Sequence, residues 1–204
     1  MTNMSEYQKL TIQEMHRLTT EAFHAADKLP FVAVLDNVRS RHNVGAVFRT
    51  ADAFRLESVL LCGITGCPPD MEIHKTALGA EESMEWEHID DTLQAVKLLQ
   101  QRGYRVYAVE QAHHSITLSE MSVRIAEEKK DGDAHGIAVV FGHEVFGVQQ
   151  EVIDLCDGCI EIPQFGTKHS LNVSVTAGIV LYTLAQSLYS YLHVSGEIGV
   201  PSGK

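Results

Sequence analysis

The fold is decided by the segment Ile160-Glu161-Ile162-Pro163-Gln164-Phe165-Gly166-Thr167-Lys168-His169-Ser170-Leu171-Asn172-Val173-Ser174-Val175. Its first residues complete an apolar run, and a strand is predicted over residues 159–162, where Pro163 ends it. Its last residues open a long apolar helix, predicted over residues 170–191 with Ser170 as the N-cap. The free N–H groups at such a helix start can receive a carboxylate or phosphate group. A strand, a polar loop and a helix in this order are typical of an α/β protein.

Two earlier segments have the same arrangement, with polar residues directly after an apolar run and a helix next. The first is Asp36-Asn37-Val38-Arg39-Ser40-Arg41-His42-Asn43-Val44-Gly45-Ala46-Val47-Phe48-Arg49-Thr50-Ala51. The second is Val139-Val140-Phe141-Gly142-His143-Glu144-Val145-Phe146-Gly147-Val148. Ligands bind at the carboxyl edge of parallel sheets, so we expect all three polar segments to meet there. Gly142 and Gly166 would let a ligand approach the backbone closely.

Strands and helices alternate along the chain. Strands are predicted over residues 31–35, 58–62, 104–109, 137–141 and 159–162. Helices are predicted over residues 12–28, 43–54, 70–78, 90–101, 148–155 and 170–191. Because the strands are apolar throughout rather than at alternate positions, both of their faces should be buried. The pattern predicts an α/β fold with a largely parallel sheet covered by helices on both faces.

The domain organisation follows from the same pattern. A capping box, Thr11 with Glu14, is predicted to start an N-terminal helical extension over residues 1–30. One domain is predicted over residues 31–192, followed by a flexible tail over residues 193–204. Within the domain, residues 113–135 are polar, and their charged run at 127–131 is predicted to be a solvated surface.

Composition narrows the functional classes. The chain has 204 residues, 45% of them hydrophobic, which suits a single domain with a sizeable core. Lys and Arg number 16 against 27 Asp and Glu, so the net charge is −11. Because phosphate backbones favour Lys and Arg, charge alone favours a small-molecule enzyme over a nucleic-acid binder. The sequence contains neither a G-x-G-x-x-G dinucleotide fingerprint nor a P-loop.

The cysteines and the apolar helix indicate a compartment. Four cysteines without a secretory signal favour a reducing, cytoplasmic location. Polar residues interrupt the apolar stretch 173–188, which predicts a packed helix and no membrane span. Cys156 and Cys159, with Cys62 and Cys67, fit either a zinc site or small buried residues at element ends. The second interpretation is favoured, since the spacing is loose and no His completes the set.

The three segments, taken in order, resemble the signature motifs of the SpoU-type ribose methyltransferases of the SPOUT superfamily. The resemblance covers roughly residues 31–188, and residues 75–80 are also similar to a family segment. The matching positions of the three motifs are, in order, Asn43-x-Gly45-Ala46-x-x-Arg49-Thr50-Ala51, Phe141-Gly142-x-Glu144-x-x-Gly147, and Ile162-Pro163 with Ser170-Leu171-Asn172-Val173-Ser174-Val175. His143, Val145 and Gln164 depart from residues common in the family.

The resemblance implies a parallel sheet with a deep C-terminal trefoil knot, and a homodimer with its active site at the interface. It implies S-adenosylmethionine as the cofactor, RNA as the substrate and no metal. The adenosyl part would be held largely by backbone groups of five residues, namely Val109, Gly142, Ile162, Ser170 and Leu171.

The resemblance also implies roles in transferring a methyl group to a ribose 2′-hydroxyl. Arg49 would grip an RNA phosphate and stabilise developing alkoxide charge, since a guanidinium stays protonated above about pH 12 and is a poor base. Asn43 would orient Arg49, and Glu144 would anchor the same network. Ser170 and Asn172 would position the cofactor and the nucleotide. The RNA-binding residues would be Arg39, Arg41 and Arg49, in a locally basic part of an acidic chain.

Only 36 residues precede Asn37, enough for one helix but not for a substrate domain, which favours tRNA over rRNA. The alternatives are an rRNA methyltransferase of the same chemistry and a catalytically silent RNA-binding member.

Overall fold

A parallel β-sheet forms the centre of the computed structural model, which describes residues 7–130 and 135–195. Its order is β3-β2-β1-β6-β4-β7-β5, and every neighbouring pair of these strands runs parallel. The strands are β1 (Leu29–Asp36), β2 (Leu56–Cys62), β3 (Glu85–Ile89), β4 (Tyr104–Val109), β5 (Ile116–Thr117), β6 (Gly136–Phe141) and β7 (Gly158–Glu161). This confirms the predicted α/β class with its parallel sheet.

Helices cover both faces of the sheet. They are α1 (Thr20–Ala25), α2 (Arg41–Ala53), α3 (Met71–Ala77), α4 (Ala80–Ser83), α5 (Thr92–Gln101), α6 (Leu118–Lys130), α7 (Gln150–Leu155) and α8 (Val173–Ser195). Successive side chains of a strand point to opposite faces. Phe31 and Leu35 of β1 therefore join the core under α2, α6 and α8, whereas Val32 and Val34 join a second core under α5 and α7.

The direction of travel through the sheet explains which helix lies on which face. Crossovers between parallel strands are right-handed, so reversing direction moves the connecting helix to the opposite face. The chain travels from β1 to β3 with α2 on one face, then reverses towards β4 with α5 on the other. The loops that follow β1, β4, β6 and β7 consequently meet at one edge of the sheet.

The N-terminal helix predicted over residues 12–28 is wrong. The capping box forms, with the Thr11 N–H and hydroxyl each 2.8 Å from Glu14 Oε2, but the turn stops at His16, whose φ is +47°. A separate short helix, α1, follows. Ile12 is 83% exposed, so its helical spacing with Met15 and Leu18 does not describe a buried face.

The polar segment after β4 contains an element that the sequence analysis missed. Helix α6 buries Leu118, Met121 and Ile125 in the core, at helical spacing. Glu120 accepts a hydrogen bond from the Thr117 N–H at 2.7 Å in a second capping box. The side chains of the charged run at 127–131 lie outside the described residues.

Helix α8 has 23 residues and buries one side in the core. It is long and apolar enough for a membrane span by length and composition. However, Leu181, Leu184 and Leu188 are fully buried against the sheet, so α8 is a core helix in this structure. It continues through Ser195, three residues into the predicted tail, and residues 196–204 lie outside the described part of the chain.

The cysteines are distributed over both cores. Cys62, Cys156 and Cys159 belong to the core under α5 and α7, whereas Cys67 packs against the core on the opposite face. They therefore do not form a four-sulfur zinc set among the described residues. Burial raises the pKa of Cys62 and of Cys156 to about 12, which keeps both thiols protonated and unreactive.

Candidate functional site

A cavity of about 320 Å³ opens at the carboxyl ends of β4, β6 and β7. Its volume falls within the range of roughly 300–1,000 Å³ typical of small-molecule sites. All five residues expected to hold a cofactor line it, namely Val109, Gly142, Ile162, Ser170 and Leu171. The second and third polar segments therefore line one space, as the strand-end rule predicts, and the first segment is joined to it through the contacts of Ser40 and Asn43 with Glu144.

Glu144 joins the loop after β6 to the start of α2. Its carboxylate accepts hydrogen bonds from the N–H groups of Arg39 at 3.1 Å and Ser40 at 2.8 Å. It also accepts one from the Asn43 side-chain amide at 3.0 Å. Ser40 in turn caps α2 by accepting from the Asn43 N–H. Residues more than 100 positions apart are thus held in one geometry beside the cavity.

Asn172 connects the same network to α8. Its Nδ2 donates to Asn43 Oδ1 at 3.2 Å, while its Oδ1 accepts from the Ser174 N–H at 2.9 Å and from the Val175 N–H. Asn172 is therefore the N-cap of α8, and the prediction of Ser170 in that position is wrong. Ser170 lies two residues earlier, exposed on the cavity wall.

The expected contact between Asn43 and Arg49 is replaced by other partners. The Asn43 amide is occupied by Glu144 on one side and by Asn172 on the other. Six residues along a helix amount to about 9 Å of rise and a different face, which separates Asn43 from Arg49 on α2. Arg49 is exposed and is not among the residues that line the cavity.

Charge in the cavity is negative. Glu110, Glu144 and Glu161 line it. Partial burial of Glu144 opposes its ionisation, but the hydrogen bonds from Ser40, Arg39 and Asn43 outweigh burial and lower its pKa. An ionised Glu144 is consistent with a carboxylate that serves as a hydrogen-bond acceptor rather than as a general acid near neutral pH.

Two carboxylates support the site without having been assigned a role from the sequence. Glu110 accepts from the Val148 N–H at 3.2 Å, so it joins the end of β4 to the loop after β6. Asp36 is buried and accepts from the Thr92 hydroxyl at 2.6 Å and from the Gln149 N–H at 3.2 Å. A charge directly after an apolar strand is the signal that both share.

The loop after β6 requires its two glycines. The His143 N–H and the Gly147 carbonyl are 3.0 Å apart, and the reverse pair is 2.8 Å apart, so the loop is a closed turn. A Cβ on Gly142 would lie 2.1 Å from the Gly147 carbonyl carbon. Gly147 has a φ of +68°, which L side chains rarely adopt.

The three arginines expected to bind RNA are exposed, but their partners differ. Arg41 Nε lies 2.7 Å from Asp70, so part of its charge is neutralised within the chain. Arg39 uses its backbone N–H for Glu144 and leaves its side chain at the surface. Arg49 is exposed on α2. None of the three arginines is among the residues that line the cavity.

Comparison with known proteins gives a consistent result. The family model of the SpoU rRNA methylase family matches residues 30–182. The 23S rRNA (guanosine-2'-O-)-methyltransferase RlmB of Vibrio cholerae is 30% identical over 159 residues, which cover 78% of this chain and 60% of the relative. The tRNA (guanosine(18)-2'-O)-methyltransferase of Thermus thermophilus is 32% identical over 149 residues, with 73% and 71% covered. The chain thus spans about 60% of the length of the rRNA-modifying relative.

Solved structures agree with the fold. The A. aeolicus TrmH/SpoU tRNA modifying enzyme superimposes with a TM-score of 0.71 at 25% identity, over 91% of this chain and 86% of that one. The AdoMet-bound rRNA methyltransferase from Sinorhizobium meliloti gives a TM-score of 0.67 at 23% identity, over 80% and 59%. With a family match across residues 30–182 and all three motifs gathered at one sheet edge, the chain belongs to the SpoU methylase family.

Proposed function

We propose that this protein is an S-adenosylmethionine-dependent RNA 2′-O-ribose methyltransferase. The observation that carries the proposal is the network of Glu144, Asn43 and Asn172, which joins the three motifs of the family at the mouth of one cavity. A catalytically silent relative would have no need to keep these side chains together. The proposal therefore favours an enzyme over an RNA-binding scaffold.

The residues around the cavity fit this cofactor. S-adenosylmethionine supplies a methyl group that is already activated on a positively charged sulfonium. The negative wall made by Glu110, Glu144 and Glu161 suits a ligand that carries positive charge. Val109 and Gly142 line the cavity, and their backbone groups would recognise the adenosyl part.

Arg49, Glu144 and Asn172 would act on the ribose 2′-hydroxyl that accepts the methyl group. A ribose 2′-oxygen becomes a good nucleophile only as its proton leaves, and alkoxide charge develops at that moment. Arg49 stabilises this charge and holds the adjacent phosphate through its positively charged, planar guanidinium. Glu144 fixes the start of α2, and Asn172 fixes the start of α8, so both helices present a constant surface to the nucleotide.

The chain acts as a homodimer in this proposal. Helices α2 and α8 run side by side, from the contact between Asn43 and Asn172 to the rings of Phe54 and Tyr182, which are 5.7 Å apart. An apolar stripe on α8 remains exposed at helical spacing, formed by Val175, Ile179 and Tyr182. Because Arg49 lies outside the cavity lining of its own chain, a second copy docked on this stripe would bring Arg49 to the mouth.

Subunit complementation tests the shared site. Arg49→Ala and Asn172→Asp should each abolish transfer when measured alone. Mixing the two under conditions that allow subunit exchange should restore part of the activity, because some hybrid sites then receive both intact side chains. Ile179→Asp should give a monomer that binds the cofactor but does not transfer the methyl group. Full activity in that monomer would contradict the dimer.

We also propose that the C-terminal part of the chain forms the trefoil knot of the SPOUT superfamily. Two features support it: α8 begins beside the loop after β6 through the Asn43 contact, and it then packs on the face opposite to α7. A crystal structure that traces the loops over residues 142–148 and 162–172 decides the matter.

The substrate proposed is tRNA, and the compartment is the cytoplasm. Support comes from two tRNA-modifying relatives: the Thermus thermophilus methyltransferase is 32% identical to this chain, and the A. aeolicus enzyme superimposes with a TM-score of 0.71. The described cysteines are all free, which suits a reducing compartment. The Vibrio cholerae rRNA methyltransferase has a similar identity to this chain, 30%, so methylation of rRNA is the competing outcome of the experiment.

Labelled cofactor tests the function and the substrate together. Total RNA is methylated with radiolabelled S-adenosylmethionine, separated into tRNA and rRNA, and hydrolysed in alkali. A 2′-O-methyl group protects the neighbouring linkage, so label should appear in alkali-stable dinucleotides from tRNA. Arg49→Ala should bind the cofactor normally and lose transfer, while Lys97→Ala, exposed on α5, should behave as the unmodified protein. Label on a base would overturn the assignment.

A further inference from the structure

Two aromatic side chains stand almost fully in solvent at the cavity mouth. Phe165 is 97% exposed in the loop between β7 and α8, and Phe146 is 82% exposed in the loop after β6. Phe146 lines the cavity, and Phe165 follows Gln164, which also lines it. Exposed aromatic groups beside a binding site mark a surface for a partner or ligand.

Phe146 is held in place rather than free to fold back. Its ring lies 4.9 Å from the His143 ring, centroid to centroid, with an angle of 34° between the planes. His143 Nδ1 accepts a hydrogen bond from the Val145 N–H at 3.0 Å, which fixes the imidazole. The closed turn between His143 and Gly147 fixes the backbone beneath both rings. The result is a rigid aromatic pair directed away from the core.

Each of the two loops contains, or is bound by, a residue with an exposed cationic side chain. Lys168 is exposed three residues after Phe165 in the same loop. Arg39 is exposed where its backbone binds Glu144, two residues from Phe146. Aromatic faces interleaved with cations form the usual surface for single-stranded nucleic acid, in which bases stack and phosphates pair with the cations.

The charge of the whole chain strengthens this interpretation. The net charge is −11, so long-range attraction to RNA is weak and affinity has to come from local contacts. Stacking contributes without a basic surface, since every base has an aromatic face. The exposed stripe on α8 is a separate surface, because Val175, Ile179 and Tyr182 lie on that helix rather than on the two loops.

We propose that Phe146, paired with His143, and Phe165 are stacking surfaces for unpaired bases of the RNA strand that enters the site. This proposal rests on the proposed function and specifies how its substrate is recognised. The bases held are those of the target nucleotide and its neighbour, and the surface therefore requires single-stranded RNA. Any base can stack, so the two phenylalanines supply affinity and placement rather than sequence choice.

Fluorescence quenching tests the stacking directly. The chain has one tryptophan, Trp86, so Phe165→Trp in a Trp86→Phe background carries a single reporter at the site. An unstructured RNA octamer should quench this reporter, since a stacked base quenches indole emission. Heparin, a polyanion without bases, should not. The matched control places the reporter at Val123→Trp, exposed on α6, where neither ligand should quench.

Affinity measurements provide the second arm. Phe146→Ala and Phe165→Ala should each raise the Kd for the octamer roughly 5- to 150-fold, as expected for loss of one stacked base. Phe165→Tyr should restore binding, and Phe165→Leu should not, because leucine is apolar without an aromatic face. The Kd for S-adenosylmethionine should stay unchanged in the three Phe165 variants, whose side chain is not part of the cavity lining, and the sedimentation coefficient should stay unchanged in all four variants.

Several outcomes would overturn the inference. They are absence of quenching at RNA concentrations that saturate binding, equal quenching by heparin, recovery by Phe165→Leu, and loss of the dimer in an alanine variant. The last result would assign the phenylalanines to the contact with a second copy. If the unmodified protein still forms alkali-stable dinucleotides in these cases, the stacking fails and the proposed function stands. If it methylates no RNA, the proposed function fails.

Discussion

Replacing Glu144 with Gln removes one charge and leaves the shape of the side chain unchanged. In the native protein Oε1 accepts from Ser40 N–H and from the Asn43 amide, and Oε2 accepts from Arg39 N–H. Glutamine has one oxygen, so it can keep the first two partners but presents an NH₂ group to the third. The substitution therefore weakens two bonds and breaks one.

The energetic cost follows from this inventory. Hydrogen bonds to a charged group contribute roughly 1.5–3 kcal/mol, against about 0.5–1.5 kcal/mol for neutral ones. The two bonds that remain therefore lose about 1 kcal/mol each. The third donor belongs to Arg39, which is exposed, so water replaces the lost oxygen at small cost. We expect the free energy of unfolding to fall by about 2 kcal/mol, or roughly 4–8 °C in Tm for a chain of this size.

Thermal melting and methyl transfer are measured on the same preparations. Glu144→Gln should lower Tm as stated and reduce transfer, because α2 and α8 lose their common anchor. Glu87→Gln, on the exposed edge strand β3, removes a charge of the same sign at a position without these partners. Its Tm should equal that of the unmodified protein. If Glu144→Gln melts within about 1 °C of that control, corresponding to well under 1 kcal/mol, the carboxylate does not hold the loops.

The difference in Tm should also depend on pH. The folded state lowers the pKa of Glu144 below its ordinary value of 4.5. Such a group contributes stability that is complete above the unfolded pKa and lost as pH falls through the folded pKa. The gap between the unmodified protein and Glu144→Gln should therefore be full at about pH 7 and shrink below about pH 4. A gap that widens in acid would contradict the hydrogen-bonding account.

Three other substitutions test neighbouring features. Asn172→Asp keeps an N-cap for α8 but loses the amide donor, so its Tm should stay close to that of the unmodified protein while methyl transfer is lost. Asn172→Ala should lose methyl transfer and also lower the free energy of unfolding by about 1 kcal/mol. Gly45→Ala places a Cβ 2.1 Å from Thr76 Oγ1 and should lower the free energy of unfolding by about 1–3 kcal/mol. Gly178→Ala has open space around its Cβ and should not destabilise the protein. Chemical denaturation measures both variants. Arg39→Ala should lower the slope of log Kd for RNA against log salt by about one and leave cofactor affinity unchanged, as titrations at several salt concentrations would reveal.

Local patterns predicted the elements that are buried on both sides. Strand β6 is buried at every position in the middle of the sheet and matches its apolar run at 137–141 apart from one added residue, Gly136, because such a strand has no solvent-facing side to confuse the pattern. The same criterion failed for Ile12, whose helical spacing is real but faces solvent. It also missed α6, where Met121 and Ile125 are buried but the charged run that follows them dominates the composition of the segment.

The site could be predicted in part for a different reason. Strand ends placed the polar segments at one edge, which is a property of parallel sheets and needs no knowledge of side-chain contacts. The pairing of Asn43 with Glu144 and Asn172 spans more than 100 residues in each case, and no local pattern encodes a partner at that distance. The same limit explains why Ser170 was chosen as the N-cap: Ser and Asn are equally suited, and the choice depends on Asn43.

The helix cap formed by Asn172 has a consequence for how the protein is made. Because Asn172 both starts α8 and binds Asn43, a helix that is synthesised after all the other described elements is also the one that completes the network. A nascent chain that has already formed β1 to β6 still lacks one of the three connected side chains. If the proposed function holds, a chain cut short before α8 would lack this completed network and would be inert toward RNA rather than partly active.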